Sequence, residues 1–231
     1  MRSLLKEIFR YLSHPYLTRI PSKVEHPFTI LLKLAFICIF MGLGAGYLSN
    51  VLISSKLIPD PGPSVLDSRS IPYWGFVIGA VLVAPVLEEL VFRAQLRRFT
   101  GMILLISFIC GTLLSAITNT SWAFLVCPFI FTILFLIYRF TLAGSTMRKF
   151  KFWEQIFPWQ FHLTAVCFAL VHLSNYERGI TLLPLGILYT LPQLAIGLIL
   201  GFTRMNYGLK YSMAVHSVYN LTFAIVLFTA Y

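Results

Sequence analysis

Acidic residues are scarce in this chain: Asp and Glu number eight in 231 residues, against eighteen Lys and Arg. Charged residues of both signs make up 11%, well below the roughly one-quarter of an ordinary soluble domain. Hydrophobic residues make up 58%. That balance excludes a soluble globular domain and describes an integral membrane protein. At ~20 apolar residues per crossing the length holds about seven or eight spans, with no room for a soluble domain. Cysteine chemistry is also missing. Cys38, Cys110, Cys127 and Cys167 lie in apolar runs without CxxC spacing, which argues against disulfides and thiolate metal sites. The first 27 residues contain no uninterrupted apolar core of a signal peptide, and the chain has no internal repeat or low-complexity tract. A net charge of +10 could point to nucleic acid, but Lys and Arg are spread over short loops between apolar segments rather than gathered in one patch. Nucleic acid is therefore excluded as a partner, and topology is the better explanation of the charge.

What is present is a succession of apolar segments, all reading as helices: Pro27–Ile53, Tyr73–Phe99, Met102–Thr118, Trp122–Phe140, Phe157–Ser174, Leu182–Phe202 and Ser212–Ala230. The Pro-rich stretch KLIPDPGPSVLDSRSIP carries turn signals and separates the first two. With the N-terminus inside, Arg2, Lys6, Arg10, Arg19, Lys23, Arg97, Arg98, Arg139, Arg148, Lys149, Lys151, Arg204 and Lys210 fall on the cytosolic side. Only Lys56, Arg69 and Arg178 face outward, and Lys33 and Arg93 lie within spans. The positive-inside rule thus predicts an all-α, polytopic bundle of about seven spans, with room for an eighth membrane segment, N-terminus cytosolic and C-terminus outside. Residues 1–27 form a cytosolic N-terminal segment and 28–231 the transmembrane domain. In the former, Leu4, Leu5, Ile8, Phe9 and Leu12 recur at helical spacing opposite Arg2, Lys6, Glu7 and Arg10. That pattern suits a helix lying on the bilayer surface, or one packed on the protein's own cytosolic face.

An ionisable side chain at bilayer depth costs ~2.5–3.5 kcal/mol on insertion scales, so it needs a partner or a purpose. Three spans carry such groups. In the second, within PVLEELVFRAQL, Glu89 and Arg93 stand at i and i+4 and can pair, while Glu88 points about 100° away and is left over. Pro85 removes a backbone donor just before the acids and is expected to kink the helix. The fifth span carries Phe168 and His172, and the seventh His216 and Asn220, again at i and i+4. Each pair alone reads equally as an interhelical hydrogen-bonding clamp. Converging, they could do chemistry: Glu88 as a base on water, an imidazole orienting that water, and His216 with Asn220 donating to an oxyanion. Alternatively Glu88, His172 and His216 are a His2Glu set of the kind that holds catalytic zinc, although HExxH is absent. The cofactor expectation is accordingly either none or zinc. Depth counted from the span ends puts Glu88 about 17 Å, His216 about 9 Å and His172 about 22 Å from the cytosolic side, a spread of about a dozen ångström.

Taken in order, Glu88-Glu89-x-x-x-Arg93, Phe168-x-x-x-His172 and His216-x-x-x-Asn220 resemble the EExxxR, FxxxH and HxxxN motifs of the CPBP intramembrane proteases, the CAAX protease and bacteriocin-processing (ABI) family. GLILGFTRMNYGLKYSMAVHSVYNL, with Gly197 and Gly201, is similar to that family's approach to its last motif. The resemblance covers about residues 73 to 224. It implies an intramembrane endopeptidase, with Glu88 as general base, His172 positioning the water, and His216 and Asn220 stabilising the oxyanion. Glu89, Arg93 and Phe168 would shape the site or hold substrate. The implied substrate is a peptide or membrane-associated protein, the implied setting a bacterial plasma membrane, and the other partner the lipid bilayer. The chain is shorter than eukaryotic members, with one fewer expected span, which weighs against prenylated substrates. Two other classes fit the same polar residues: a non-catalytic immunity or peptide-binding membrane protein, and a proton-coupled transporter, which is disfavoured by the missing inverted repeat.

Overall fold

In the computed structural model the chain is helical, with no strand among the described residues, which are 1–18, 25–64, 72–118, 120, 126–141 and 146–230. Arg19 and Lys23 of the charge count, residues 65–71 of the linker with Arg69, and the start of the segment expected from Trp122 lie outside them. Helix α1 spans Arg2–Ser13 and α2 Pro27–Ser54. Proline at the first turn of α2 costs nothing, because an N–H there has no intrahelical partner in any case. The next run is interrupted: α3 (Tyr73–Ile78), a π-helical turn (Gly79–Val83), α4 (Ala84–Phe92) and a 3-10 turn (Ala94–Arg97). Then come α5 (Phe99–Thr118), α6 (Val126–Thr141) and α7 (Thr146–Val171), which ends in a 3-10 turn at His172–Asn175. A second 3-10 stretch (Ile180–Leu185), α8 (Gly186–Tyr189), α9 (Leu191–Asn206) and α10 (Leu209–Ala230) complete the described chain.

Helices thus coincide with all seven expected segments, but not all are long and apolar enough to count as spans. Pro27–Ser54, Tyr73–Arg97 and Thr146–Asn175 meet that requirement, and Thr181–Tyr189 with Leu191–Asn206, bent by 60°, make a fourth if taken as one broken span. Val126–Phe140 is a shorter apolar helix, while α5 and α10 are continuous over 20 and 22 residues. Among the described residues three helices, or four with the bent pair, thus meet the requirement of length and composition.

Helix α9 is the hub, packing against α1, α2, α7 and α10. Its Ile196, Leu200, Phe202 and Met205 meet Leu34 and Cys38 of α2, Phe157 and Phe161 of α7, and Val215 of α10 in one core cluster. Close approach of α7 and α9 depends on Gly201: a Cβ there would sit 2.7 Å from the Phe161 ring, inside any tolerable contact. Helix α1 joins the same core. Leu4, Ile8 and Tyr11 are buried, and the Tyr11 ring meets Phe161 and Phe202 edge-on, each at 5.5 Å between centroids. Helix α1 thus packs on the protein itself, with Arg2, Lys6, Glu7 and Arg10 left exposed. Large apolar side chains such as Phe36, Phe40, Phe108, Ile137 and Trp159 are exposed around the bundle, as befits a surface solvated by hydrocarbon.

Where a kink is expected at Pro85, the helix has a π turn immediately before it. Ala84 N–H bonds to the Gly79 carbonyl, five residues back. In that register the Ala80 carbonyl would receive the N–H of residue 85, which proline lacks. Asn220 of α10 supplies the missing donor, its Nδ2 lying 2.7 Å from the Ala80 oxygen.

Candidate active site

The two glutamates of α4 have different fates, as their 100° separation requires. Glu89 is fully buried and saturated. Its Oε1 faces Arg93 Nη1 at 3.4 Å and His216 Nδ1 at 3.1 Å, and its Oε2 accepts a hydrogen bond from Ser212 Oγ. Glu88 keeps 27% of its side-chain surface and has no such set. Its Oε2 lies 3.9 Å from His172 Nε2 and 3.7 Å from His216 Nε2, with no hydrogen-bond partner among the described residues. These gaps exceed a direct hydrogen bond and suit one shared water, whose bonds of about 2.8 Å span them when bent.

The rings' outer nitrogens fix which face carries the lone pair. His172 Nδ1 lies 2.8 Å from the Phe168 carbonyl and His216 Nδ1 faces the Glu89 carboxylate, and both partners only accept. The Nδ1 atoms therefore carry the N–H, an assignment by partner chemistry. Were both rings neutral, each would present an Nε2 lone pair towards Glu88. Three acceptors then converge on one spot. A water has two hydrogens to give them, so an additional proton or a cation completes the arrangement.

Phe168 is part of the frame. Buried to 1%, its ring carries the Arg93 guanidinium 3.8 Å from its centroid and meets His172 and His216 edge-on at 4.8 and 5.8 Å. Arg93 is itself almost fully buried, and this cation–π contact supplements its pair with Glu89. Gly197 of α9 clears the space: a Cβ there would lie 3.1 Å from Phe168 and 3.5 Å from Arg93 Nη2. The sequence reading missed Ser212 and Arg204. Ser212 stands four residues before His216, so the pattern Ser-x-x-x-His-x-x-x-Asn was its available signal. Arg204 Nε donates to the Arg93 carbonyl at 3.1 Å and had none.

Glu88, His172 and His216 thus meet despite the dozen-ångström spread of their counted depths. Helix α7 begins at Thr146, ahead of the expected start at Phe157, and its Gln160 and Thr164 form a buried polar network with Gln95. Asn220 is committed differently from expectation, with one amide hydrogen on Ala80. For zinc, the donor types fit, and the distances of 3.9 and 3.7 Å from Glu88 Oε2 to the two rings lie between about 3.3 Å, the spacing of tetrahedral zinc ligands, and about 4.6 Å, that of two partners on one tetrahedral water. Among the described residues no group of three or more His, Cys, Asp or Glu could hold a metal ion. The zinc set Glu88, His172, His216 and the metalloprotease label gain no support.

Comparison with known families decides the wider identity. The model of the type II CAAX prenyl endopeptidase Rce1-like family matches residues 70–222, well over half of the chain and all three motifs. The chain belongs to the Rce1-like family. No curated protein and no solved structure matches it. As a member of a CAAX endopeptidase family with long apolar helices, this Rce1-like chain is an integral membrane protein of peptidase type, whose substrate is a peptide or protein in a membrane.

Proposed function

We propose that this protein is an intramembrane endopeptidase that hydrolyses a peptide bond with a water activated by Glu88, without a metal ion. The observation that carries the reading is the approach of Glu88 Oε2 to both Nε2 atoms, 3.9 and 3.7 Å, at a gap suited to one water. The water donates one hydrogen to Glu88 and the other to His172 Nε2, which fixes its direction of attack. Its oxygen bonds to the scissile carbonyl carbon as Glu88 takes the proton. Collapse of the tetrahedral intermediate breaks the C–N bond, and Glu88 returns that proton to the leaving amine. Products are a carboxyl terminus and a free amine, and Glu88 is regenerated.

His216 is the third acceptor that a water cannot satisfy, and the same reading makes it the imidazolium. With its Nδ1–H on Glu89, it offers Nε2–H to the oxyanion. Charge balance supports this state: Glu88 and Glu89 carry two negative charges, and Arg93 and His216 two positive ones. A buried cluster of net zero charge is far cheaper than one of net −1. Asn220 retains a second amide hydrogen as a further donor. Glu89, Arg93 and Phe168 hold His216 and α4 in place rather than touching the reacting atoms.

The setting that accompanies this reading is a seven-span bundle in a bacterial plasma membrane, with the N-terminus on the cytosolic side to which the distribution of Lys and Arg points. The test is cleavage of a reporter peptide library by purified protein in detergent, with and without a chelator, beside Glu88→Gln. Cleavage by wild type that survives chelation and is lost in Glu88→Gln is expected. Equal cleavage by both proteins would remove Glu88 from the chemistry, and no cleavage by either would leave the cluster as a peptide-binding network. Loss on chelation, restored by zinc, would overturn the metal-free mechanism.

A further inference from the structure

On the face of α9 turned away from the candidate active site, an apolar cavity of about 230 Å³ opens between α1, α2 and α9. Its lining is hydrocarbon throughout, from Leu5 and Phe9 on α1, through Ile37 and Leu48 on α2, to Leu191 and Ile199 on α9. The α2 wall runs from Ile37 to Leu48, about 16 Å along the helix axis. The cavity is therefore a groove along the bundle with α1 across one end. Its floor belongs to the core, since Ile8, Ile37 and Ile199 are nearly fully buried. Its rim faces outward, Met41, Leu48 and Phe9 being 40%, 50% and 60% exposed. A packed bundle tolerates few voids of this size, and hydrocarbon is what surrounds this one.

The rim at α1 is charged with one sign. Arg2, Lys6 and Arg10 follow each other at i, i+4 and i+8, all exposed, in a row beside Leu5 and Phe9. Glu7, the one acid of the helix, stands about 100° further round from Lys6 and adjoins Arg10, so Arg2 and Lys6 are the cations nearest Leu5 and Phe9. A long apolar slot ending under three aligned cations has the chemistry of a phospholipid with an anionic headgroup: tail in the groove, phosphate against the row. We propose that this groove is a binding site for one anionic phospholipid, held by an acyl chain between α2 and α9 and by its headgroup on Arg2, Lys6 and Arg10. The site is separate from the Glu88 cluster, so neither proposal depends on the other.

The test is native mass spectrometry of the full chain released from micelles containing equal phosphatidylglycerol and phosphatidylcholine. Wild type is expected to retain one phosphatidylglycerol at least tenfold in preference to phosphatidylcholine. Arg2→Gln with Lys6→Gln and Arg10→Gln, which alters only exposed positions, is expected to lose the preference while still retaining lipid. Ala195→Phe, which fills the groove, is expected to lose retention. Melting temperature and gel-filtration profile of both variants serve as the folding control, and an unfolded Ala195→Phe protein would be replaced by Ala45→Leu. No preference in wild type, or unchanged preference in the charge variant, would overturn the headgroup assignment. Undiminished retention in the folded filled variant would overturn the groove. Displacement of the bound lipid by a farnesylated peptide at micromolar concentration would assign the groove to substrate instead, and would also overturn the proposal.

Discussion

Glu88 and Glu89 are adjacent in sequence, carry the same group and lie on one helix, yet their surroundings are opposite. Around Glu89 every oxygen is occupied, by Arg93, His216 and Ser212, and no surface is left. Around Glu88 the partners stand back, and Oε2 faces two ring nitrogens across a gap. A saturated charge is structural, because any change in its protonation must break several bonds at once. An unsaturated one is available for chemistry. On the proposed reading one turn of the helix builds both the frame of the site and its working group, and His216 faces both glutamates.

The comparison breaks most visibly on the Glu88 side. Glu88→Gln keeps shape and polarity and removes the base, so the cleavage rate is expected to fall by about 10²–10⁴-fold, the usual range for a general base. Because Glu88 has no ion pair of hydrogen-bond length, the melting temperature should barely move. A marked loss of stability would mean that Glu88 belongs to the frame after all. On the Glu89 side the opposite result is expected. Arg93→Met leaves a buried carboxylate short of its main counter-charge, at a cost of about 3–5 kcal/mol, read as lost thermal stability. Combining it with Glu89→Gln removes the orphan charge and should recover much of that stability. Additive losses in the double variant would refute the pairing.

Asn220 tests the border between the two kinds of residue. Its Nδ2 already serves the Ala80 carbonyl that Pro85 leaves without a donor. Asn220→Ala should cost about 0.5–1.5 kcal/mol of stability for that bond. As an oxyanion donor it should also reduce kcat by about 10²–10³-fold with little change in KM. A drop in activity no larger than the lost folded fraction would make Asn220 a clamp on the π turn and nothing more.

How much of this was legible depends on whether a feature is local. The pairing of Glu89 with Arg93, and the isolation of Glu88 from it, follow from helical spacing alone, and hydropathy and the three motifs located the helices that carry the site. The break at Pro85 was also readable, though not that it would widen into a π turn needing a donor from α10. The 60° bend where α8 meets α9, inside the expected segment Leu182–Phe202, was not readable, because no composition window registers it. Nor was the convergence of His172 with Glu88, since it depends on how α4, α7 and α10 pack and not on depth counted along one segment. The saturation of Glu89 escaped for the same reason. Its partners beyond Arg93 come from α10, more than a hundred residues away.

Ser212 gives the finest test, because it acts on the frame while leaving the working group untouched. Its hydroxyl donates to Glu89 Oε2, and Glu89 Oε1 holds His216. Ser212→Ala removes one charge-assisted hydrogen bond, worth about 1.5–3 kcal/mol of stability, but leaves Arg93 and His216 on the same carboxylate. Activity of the folded protein should then fall less than tenfold, through a looser Glu89 and a less firmly held imidazolium. That loss should appear in kcat rather than KM, since Ser212 is buried and meets no substrate. Ser212→Thr keeps the hydroxyl and should retain activity if its methyl group is accommodated. A Ser212→Ala protein as impaired as Glu88→Gln would show that frame and working group are one unit, and the division between the two glutamates would be lost.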